Sequence, residues 1–314
     1  MRRSSGDRQG SGPTGEDGRD AAIQAAPDTP PNNLPAELTS FIGRSAELAH
    51  VRQLLSETRL LTLVGAGGCG KTRVALQSAA GTLDGFEDGT WWIELAALGD
   101  PGLLPTTIGS ALGLRDRPGQ APLDVLREHL LRRRALLLLD NCEHLLEACA
   151  SLVETLLRSC PSLTVLATSR EALAAPGELT YRVPSLALPA ESGSLAEVTG
   201  SDAVRLFIDR ATQARGSFAL NEENAASVAA LCRGLDGIPL ALELAAARMR
   251  MLSPEQLVSE LDDRFRLLTR GGRTAAPRQK TLRASIDWYS QPQPAIADYA
   301  KIVSRNAVAT SYSA

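Results

Sequence analysis

The segment Leu60-Leu61-Thr62-Leu63-Val64-Gly65-Ala66-Gly67-Gly68-Cys69-Gly70-Lys71-Thr72-Arg73-Val74-Ala75-Leu76-Gln77 decides how the chain is read. Its first five residues are apolar or β-branched and predict a buried strand, and the residues after Thr72 predict a helix. The glycine-rich stretch between them has the spacing of a phosphate loop in its required strand–loop–helix context. Glycines allow successive backbone N–H groups to turn inward around phosphates, and the helix N-terminus adds its positive dipole end. Lys71 supplies a point charge near the β and γ phosphates, and Thr72 offers a hydroxyl to Mg²⁺. Lysine is scarce in this arginine-rich chain, occurring only at Lys71, Lys280 and Lys301. A compact ammonium at this place suits phosphate contact better than a planar guanidinium. The bland alternative is a turn that merely joins strand to helix.

A second apolar run, Ala135-Leu136-Leu137-Leu138-Leu139-Asp140, reads as a strand covered on both faces, as in the middle of a parallel sheet. Ligands of such sheets gather at the carboxyl ends of the strands, so Asp140 is expected beside the phosphate loop, holding Mg²⁺ directly or through water. A capping role at the next helix is the alternative. Glu143 either orients an attacking water or is a first-turn acid of the helix carrying Leu145, Leu146, Cys149, Leu152, Val153, Leu156 and Leu157. His144 is read as a local cap or packing residue. Leu163 to Arg170 forms another strand ending at the same edge, where Arg170 either senses a γ-phosphate or makes a surface ion pair. Thr90 to Leu95 has strand composition as well.

The rest of the chain sets bounds. Its 314 residues, 44% hydrophobic and 22% charged, suit about two soluble domains. A net charge of −3 gives no overall footprint for nucleic acid, so no direct nucleic-acid contact is expected from this chain. The run Arg132-Arg133-Arg134 is read as cations at a solvent-facing helix C-terminus. Five cysteines, odd in number and without a C-x-x-C pair, argue against a disulfide framework and a zinc site. A reducing cytoplasm is the expected setting, and no apolar run is long enough to cross a membrane.

In order, residues 1–33 read as a disordered leader, 34–185 as a phosphate-loop nucleotide-binding domain and 186–200 as a linker rich in Pro, Ser and Gly. Helices are expected at Ser45 to Glu57, Pro101 to Leu114 and Leu123 to Arg134. In a second, all-helical part they are expected at Asp202 to Arg215, Glu222 to Leu235, Pro239 to Met251 and Pro254 to Asp263. Pro239 suits a first helical turn, and Ser253-Pro254-Glu255-Gln256 is a capping-box pattern.

Taken together, several spaced motifs resemble the signal-transduction ATPases with numerous domains, in particular the NB-ARC-like ATPase domains of actinobacterial transcriptional regulators. They are Asn33-Leu34-Pro35 with Phe41-Ile42-Gly43-Arg44, the phosphate loop, Leu138 to His144, Ala167 to Glu171, Leu235-Asp236-Gly237-Ile238-Pro239-Leu240-Ala241, and Leu261-Asp262-Asp263-Arg264-Phe265. The resemblance covers residues 33–290 and implies an α/β fold: a P-loop NTPase three-layer sandwich with a parallel sheet, then a small helical domain over 201–255 and the start of a winged helix over 256–290. It implies ATP/ADP and Mg²⁺ as ligands. Ile42, Gly43 and Arg44 would lie by the adenine, and Pro239 would cover the base. Gly65, Ala66, Gly67, Gly68, Cys69, Gly70, Lys71, Thr72 and Arg73 would hold the phosphates. Thr72 and Asp140 would hold the metal, and Asp140, Glu143 and Arg170 would be the catalytic groups.

Such proteins act as switches, closed with ADP and self-assembling with ATP, with slow hydrolysis. Many relatives have a second acid after the strand-ending aspartate, whereas Asn141 stands here. Arg278 to Trp288 resembles the first helix of the winged-helix domain, and Gln291 to Ala314 departs from its apolar pattern. A truncation or frame shift near residue 290, with a poorly ordered tail, is the expectation. A metabolic P-loop ATPase or small-molecule kinase and a non-functional fragment are the alternatives. An Asn-Lys-x-Asp base-reading motif, which would mark a GTPase, does not occur.

Overall fold

A computed structural model describes residues 30–269, apart from Asp116 and Ser192. Most of the expected leader, the winged-helix motif at Arg278 to Trp288 and the tail from Gln291 lie outside the described residues.

The chain folds as a parallel α/β sheet followed by a helical unit. The first part runs α1 (Ser45–Glu57), β1 (Leu60–Val64), α2 (Lys71–Ala80), β2 (Thr90–Glu94), α3 (Leu104–Ala111), α4 (Pro122–Leu130), β3 (Leu136–Asp140), α5 (Leu146–Ser159), β4 (Thr164–Ser169) and β5 (Leu179–Arg182). All five strands are parallel in the order β2-β3-β4-β1-β5. The chain therefore leaves β1 for the far edge at β2, returns strand by strand to β4, and crosses β1 to add β5. This topology brings the carboxyl ends of β1, β4 and β3 together, where an open parallel sheet places its ligands.

The apolar run at Leu136–Leu139 is between 0% and 1% exposed, because helices cover both faces of the sheet. On one face Leu137 and Leu139 pack with α3, α4 and α5 around Ile108, Leu126 and Leu152. On the other, Leu136 and Leu138 pack with Val51 of α1 and Val74 of α2. The alternation along β3 thus divides one run of leucines between two cores.

The helical unit comprises α6 (Leu195–Gly200), α7 (Asp202–Ala214), α8 (Ala225–Gly234), α9 (Pro239–Ala247) and α10 (Pro254–Thr269). Its core joins Phe207 of α7, Val228 of α8 and Leu242 of α9 to Leu257 and Leu261 of α10.

Some elements depart from the sequence expectation. The stretch read as one helix from Pro101 to Leu114 is a short 3-10 turn followed by α3, which ends at Ala111 ahead of Gly113 in the left-handed region. Helix α4 stops at Leu130, short of the arginine run. The segment read as loop up to Gly200 contains α6, started by a capping box in which the Ser194 hydroxyl and the Glu197 carboxylate serve each other's backbone N–H groups. Strand β5 was not expected, since its mostly exposed residues show no apolar run. Residues 31–33, read as the end of the leader, lie along the free edge of β2. Thr90 N–H donates to the Pro31 carbonyl at 3.0 Å. The Asn33 side chain pairs with both backbone groups of Trp92, at 2.9 and 2.6 Å. A sheet edge that would otherwise be open is covered in this way.

Candidate nucleotide-binding site

The glycine-rich loop leaves β1 and enters α2 with Gly68 at φ 72° and Gly70 at φ 91°, conformations that side chains other than glycine adopt at a cost. Gly65 is required for a different reason: a Cβ there would stand 2.9 Å from Cys69 Sγ and 3.2 Å from the Val183 carbonyl. Lys71 Nζ donates to the Gly65 and Ala66 carbonyls at 3.1 and 3.2 Å, which folds its ammonium across the mouth of the loop. The N–H groups of the first turn of α2 have no partner within the helix and face the same space.

Asp140 ends β3 and is buried. Its Oδ1 accepts from Thr72 Oγ1 at 2.8 Å and from Thr168 Oγ1 at 2.6 Å. The Thr168 hydroxyl also accepts from the Asn141 N–H at 2.9 Å, so one oxygen links the ends of β3 and β4. Burial pushes the Asp140 carboxyl above the usual carboxylate range, against the opposing pull of both hydroxyls and Lys71. An acid with two hydroxyl donors on one oxygen beside a phosphate-loop threonine fits a divalent cation, which would favour the ionised form. Asn141 adopts φ 67°, a left-handed position that asparagine tolerates better than most residues, and this turns the chain sharply after the strand.

Glu143 sits in a 3-10 turn at Cys142–His144, ahead of α5, and not in the first turn of that helix. Its Oε1 accepts from Arg170 Nε at 3.0 Å, while Oε2 is buried with no hydrogen-bond partner among the described residues. Arg170 itself is largely exposed. His144 Nε2 lies 2.9 Å from the Leu98 carbonyl, a local contact.

Arg44 is buried at φ 62°. Its Nη2 donates to the Cys69 carbonyl at 2.6 Å and to the Pro184 carbonyl at 3.0 Å, so the guanidinium braces the loop from behind. Nη1 is buried with no hydrogen-bond partner among the described residues, and burial lowers the guanidinium pKa. The Arg44 N–H donates to Asp202 Oδ2 at 3.2 Å, at the start of α7. Gly43 stands at φ 70° against the same carboxylate, and Ile42 packs on the core of the helical unit. Pro239 is the first residue of α9, and the N–H of Leu240 donates to the Gly68 carbonyl at 3.2 Å. The helical unit therefore touches the glycine-rich loop directly. The Arg73 guanidinium turns away from the loop, to the Thr39 and Ser40 carbonyls at 3.1 Å each and over the Phe41 ring.

The sequence reading assigned no role to Thr168, Asp202 or Glu243. Thr168 was the most findable of the three, because it ends a strand adjacent to the one ending in Asp140. All five cysteines are buried and free. Among the described residues no His/Cys/Asp/Glu cluster is arranged for a metal, and no helix is long and apolar enough to cross a membrane.

The fold and the loop together define a P-loop α/β architecture. No protein-family profile matches the chain. It is similar to a protein of Mycobacterium tuberculosis named as an HTH-type transcriptional regulator, 49% identical over 238 residues that make up 76% of this chain and 26% of that protein. An uncharacterized protein of the same species is 47% identical over 251 residues, covering 80% of this chain and 61% of that one. The regulatory protein AfsR of Streptomyces griseus is 30% identical over 256 residues, 76% of this chain and 24% of AfsR. The chain thus spans about a quarter of the length of the relatives named as regulators. Among solved structures, a signal transduction ATPase with numerous domains from Pyrococcus horikoshii aligns over 80% of this chain and 40% of its own, at 17% identity and a TM-score of 0.46.

Proposed function

We propose that this chain is the ATP/ADP-binding regulatory module of a larger transcriptional regulator, a switch with slow Mg²⁺-dependent ATP hydrolysis at most. The observation that carries the reading is the hydrogen bond from Leu240 N–H to the Gly68 carbonyl, beside a Thr72–Asp140 pair already aligned at 2.8 Å. A helical unit that rests on the phosphate loop can report what the loop holds, provided ATP and ADP make different contacts in its two positions. The name of the Mycobacterium tuberculosis relative, as an HTH-type transcriptional regulator, supports placing the output in transcription.

In this reading Gly65 to Arg73 hold the phosphates through backbone N–H groups and Lys71, and Thr72 and Asp140 hold Mg²⁺, which would neutralise phosphate charge. Ile42, Gly43, Arg44 and Pro239 enclose the base. Glu143, whose buried Oε2 has no hydrogen-bond partner among the described residues, orients water. Arg170 carries γ-phosphate sensing, and the ATP state self-associates.

The test is the nucleotide content of the purified chain, together with its turnover. Retained ADP with hydrolysis slower than roughly one per minute supports a switch, since typical enzymes turn over about ten times per second. Brisk turnover that rises with an added small acceptor would replace the switch with a phosphoryl-transfer enzyme.

A further inference from the structure

Away from the mouth of the glycine-rich loop, three charged side chains and one short segment join the two halves of the molecule. Arg73 leaves the first turn of α2, Arg210 leaves α7, and both reach Glu243 on α9. Glu243 Oε1 lies 3.1 Å from Arg210 Nε and 3.7 Å from Arg73 Nη1. The same two arginines both hold the segment 37–41. Arg210 donates to the Ser40 hydroxyl and carbonyl at 3.0 Å each. Arg73 donates to the Thr39 and Ser40 carbonyls and pairs with Glu37 at 3.7 Å. Arg210 is only 9% exposed, so its contacts are shielded from the salt and water that weaken surface pairs. Asp209 pairs with Arg210 on its own helix.

Glu243 follows Pro239 by four residues, one turn along the same face of α9. Whatever fixes Glu243 therefore also fixes the N-terminus of α9 over Gly68. Glu243 and Arg210 both belong to the helical unit, so the ion pair that crosses between the halves is Arg73–Glu243, while Arg210 holds the Glu243 carboxylate and reaches across to Ser40. Glu243 Oε1 accepts from Arg210 Nε and forms an ion pair with Arg73.

We propose that Glu243, held in place by Arg210, is the positioning residue that clasps the helical unit on to the phosphate loop through its ion pair with Arg73, and so sets how readily the nucleotide cleft opens. This rests on the reading of the cleft as a nucleotide site, but the clasp has a readout of its own. The Leu240 amide, bonded to Gly68, is protected from hydrogen exchange only while the two halves are closed.

The test compares the wild-type chain with Glu243→Gln and Glu243→Asp, without nucleotide and with ADP and Mg²⁺. Glu243→Gln keeps the shape and removes the charge, and is expected to speed exchange of the Leu240 amide about tenfold and release of bound ADP by a similar factor. Amides in the sheet core should be unchanged, and Glu243→Asp should restore part of the protection. Unchanged Leu240 exchange in Glu243→Gln would overturn the clasp. So would faster exchange spread equally over the core of the helical unit, which marks loss of stability and not of closure. If the wild type bound no ADP, the nucleotide reading would fail while the exchange experiment still decided the clasp.

Discussion

The Thr72 hydroxyl and the Asp140 carboxylate lie 2.8 Å apart across the sheet edge, one from the start of α2 and one from the end of β3. This pairing ties the glycine-rich loop to the end of β3. It also leaves a buried acid whose ionised form is penalised.

That penalty makes a prediction with two opposite signs. Asp140→Asn keeps an oxygen to accept from Thr72 and Thr168 but removes the charge. In buffer without divalent cations the variant is expected to melt at a higher temperature than the wild type, because burial of a charge no longer opposes folding. In the same variant the effect of Mg²⁺ on nucleotide affinity is expected to vanish. A lower melting point together with intact Mg²⁺ dependence would show that Asp140 is a structural acid only.

The junction at Gly43 is tight. Its φ is 70°, and a Cβ would stand 2.2 Å from the Asp202 carboxylate that receives the Arg44 N–H. Gly43→Ala is expected to destabilise the protein by about 2 kcal/mol, the sum of a left-handed backbone cost and a displaced acid. Chemical denaturation measures it. The first amides of α7 should lose protection before the strands do.

Cys232 lies in the helical core, and burial pushes its thiol up to about 12. An unfolded chain loses that proton near the ordinary value of 9.0, so between these values the folded state binds more protons than the unfolded one. Stability therefore falls as pH rises from 9 towards 12, by up to about 1.4 kcal/mol per pH unit from this group. The difference in pH dependence between wild type and Cys232→Ala, followed by denaturant titration, isolates the contribution. Equal slopes in the two proteins would contradict it.

The parallel sheet was legible because its two central runs, Leu60–Val64 and Leu136–Asp140, are continuous and each ends in a polar feature. Thr72 and Asp140 could be brought together from sequence alone, since topology places the carboxyl ends of parallel strands side by side. Helix boundaries were less readable. Gly113 broke the helix expected to reach Leu114, and the capping box at Ser194 started one inside an expected loop. Glu243 was silent for a different reason. On α9 it looks like an ordinary polar position among alanines and leucines, and only the fold sets it against Arg210 of α7 and within 3.7 Å of Arg73 on α2. Arg73 was read as part of the phosphate loop from its place in the chain, yet its guanidinium faces residues 37–41 and α9. A one-residue step on a helix turns a side chain by about 100°, and spacing in a loop motif does not carry across that turn.

The central claim is nucleotide binding at the glycine-rich loop, and calorimetric titration of the nucleotide-free chain with ADP and ATP in Mg²⁺ tests it most directly. The expected Kd for ADP is about 1 μM or tighter, equivalent to about 8 kcal/mol, weakened at least tenfold in a folded Lys71→Ala variant. A well-folded wild-type chain that takes up neither nucleotide at millimolar concentration, or a Lys71→Ala variant that binds as tightly as the wild type, would contradict it.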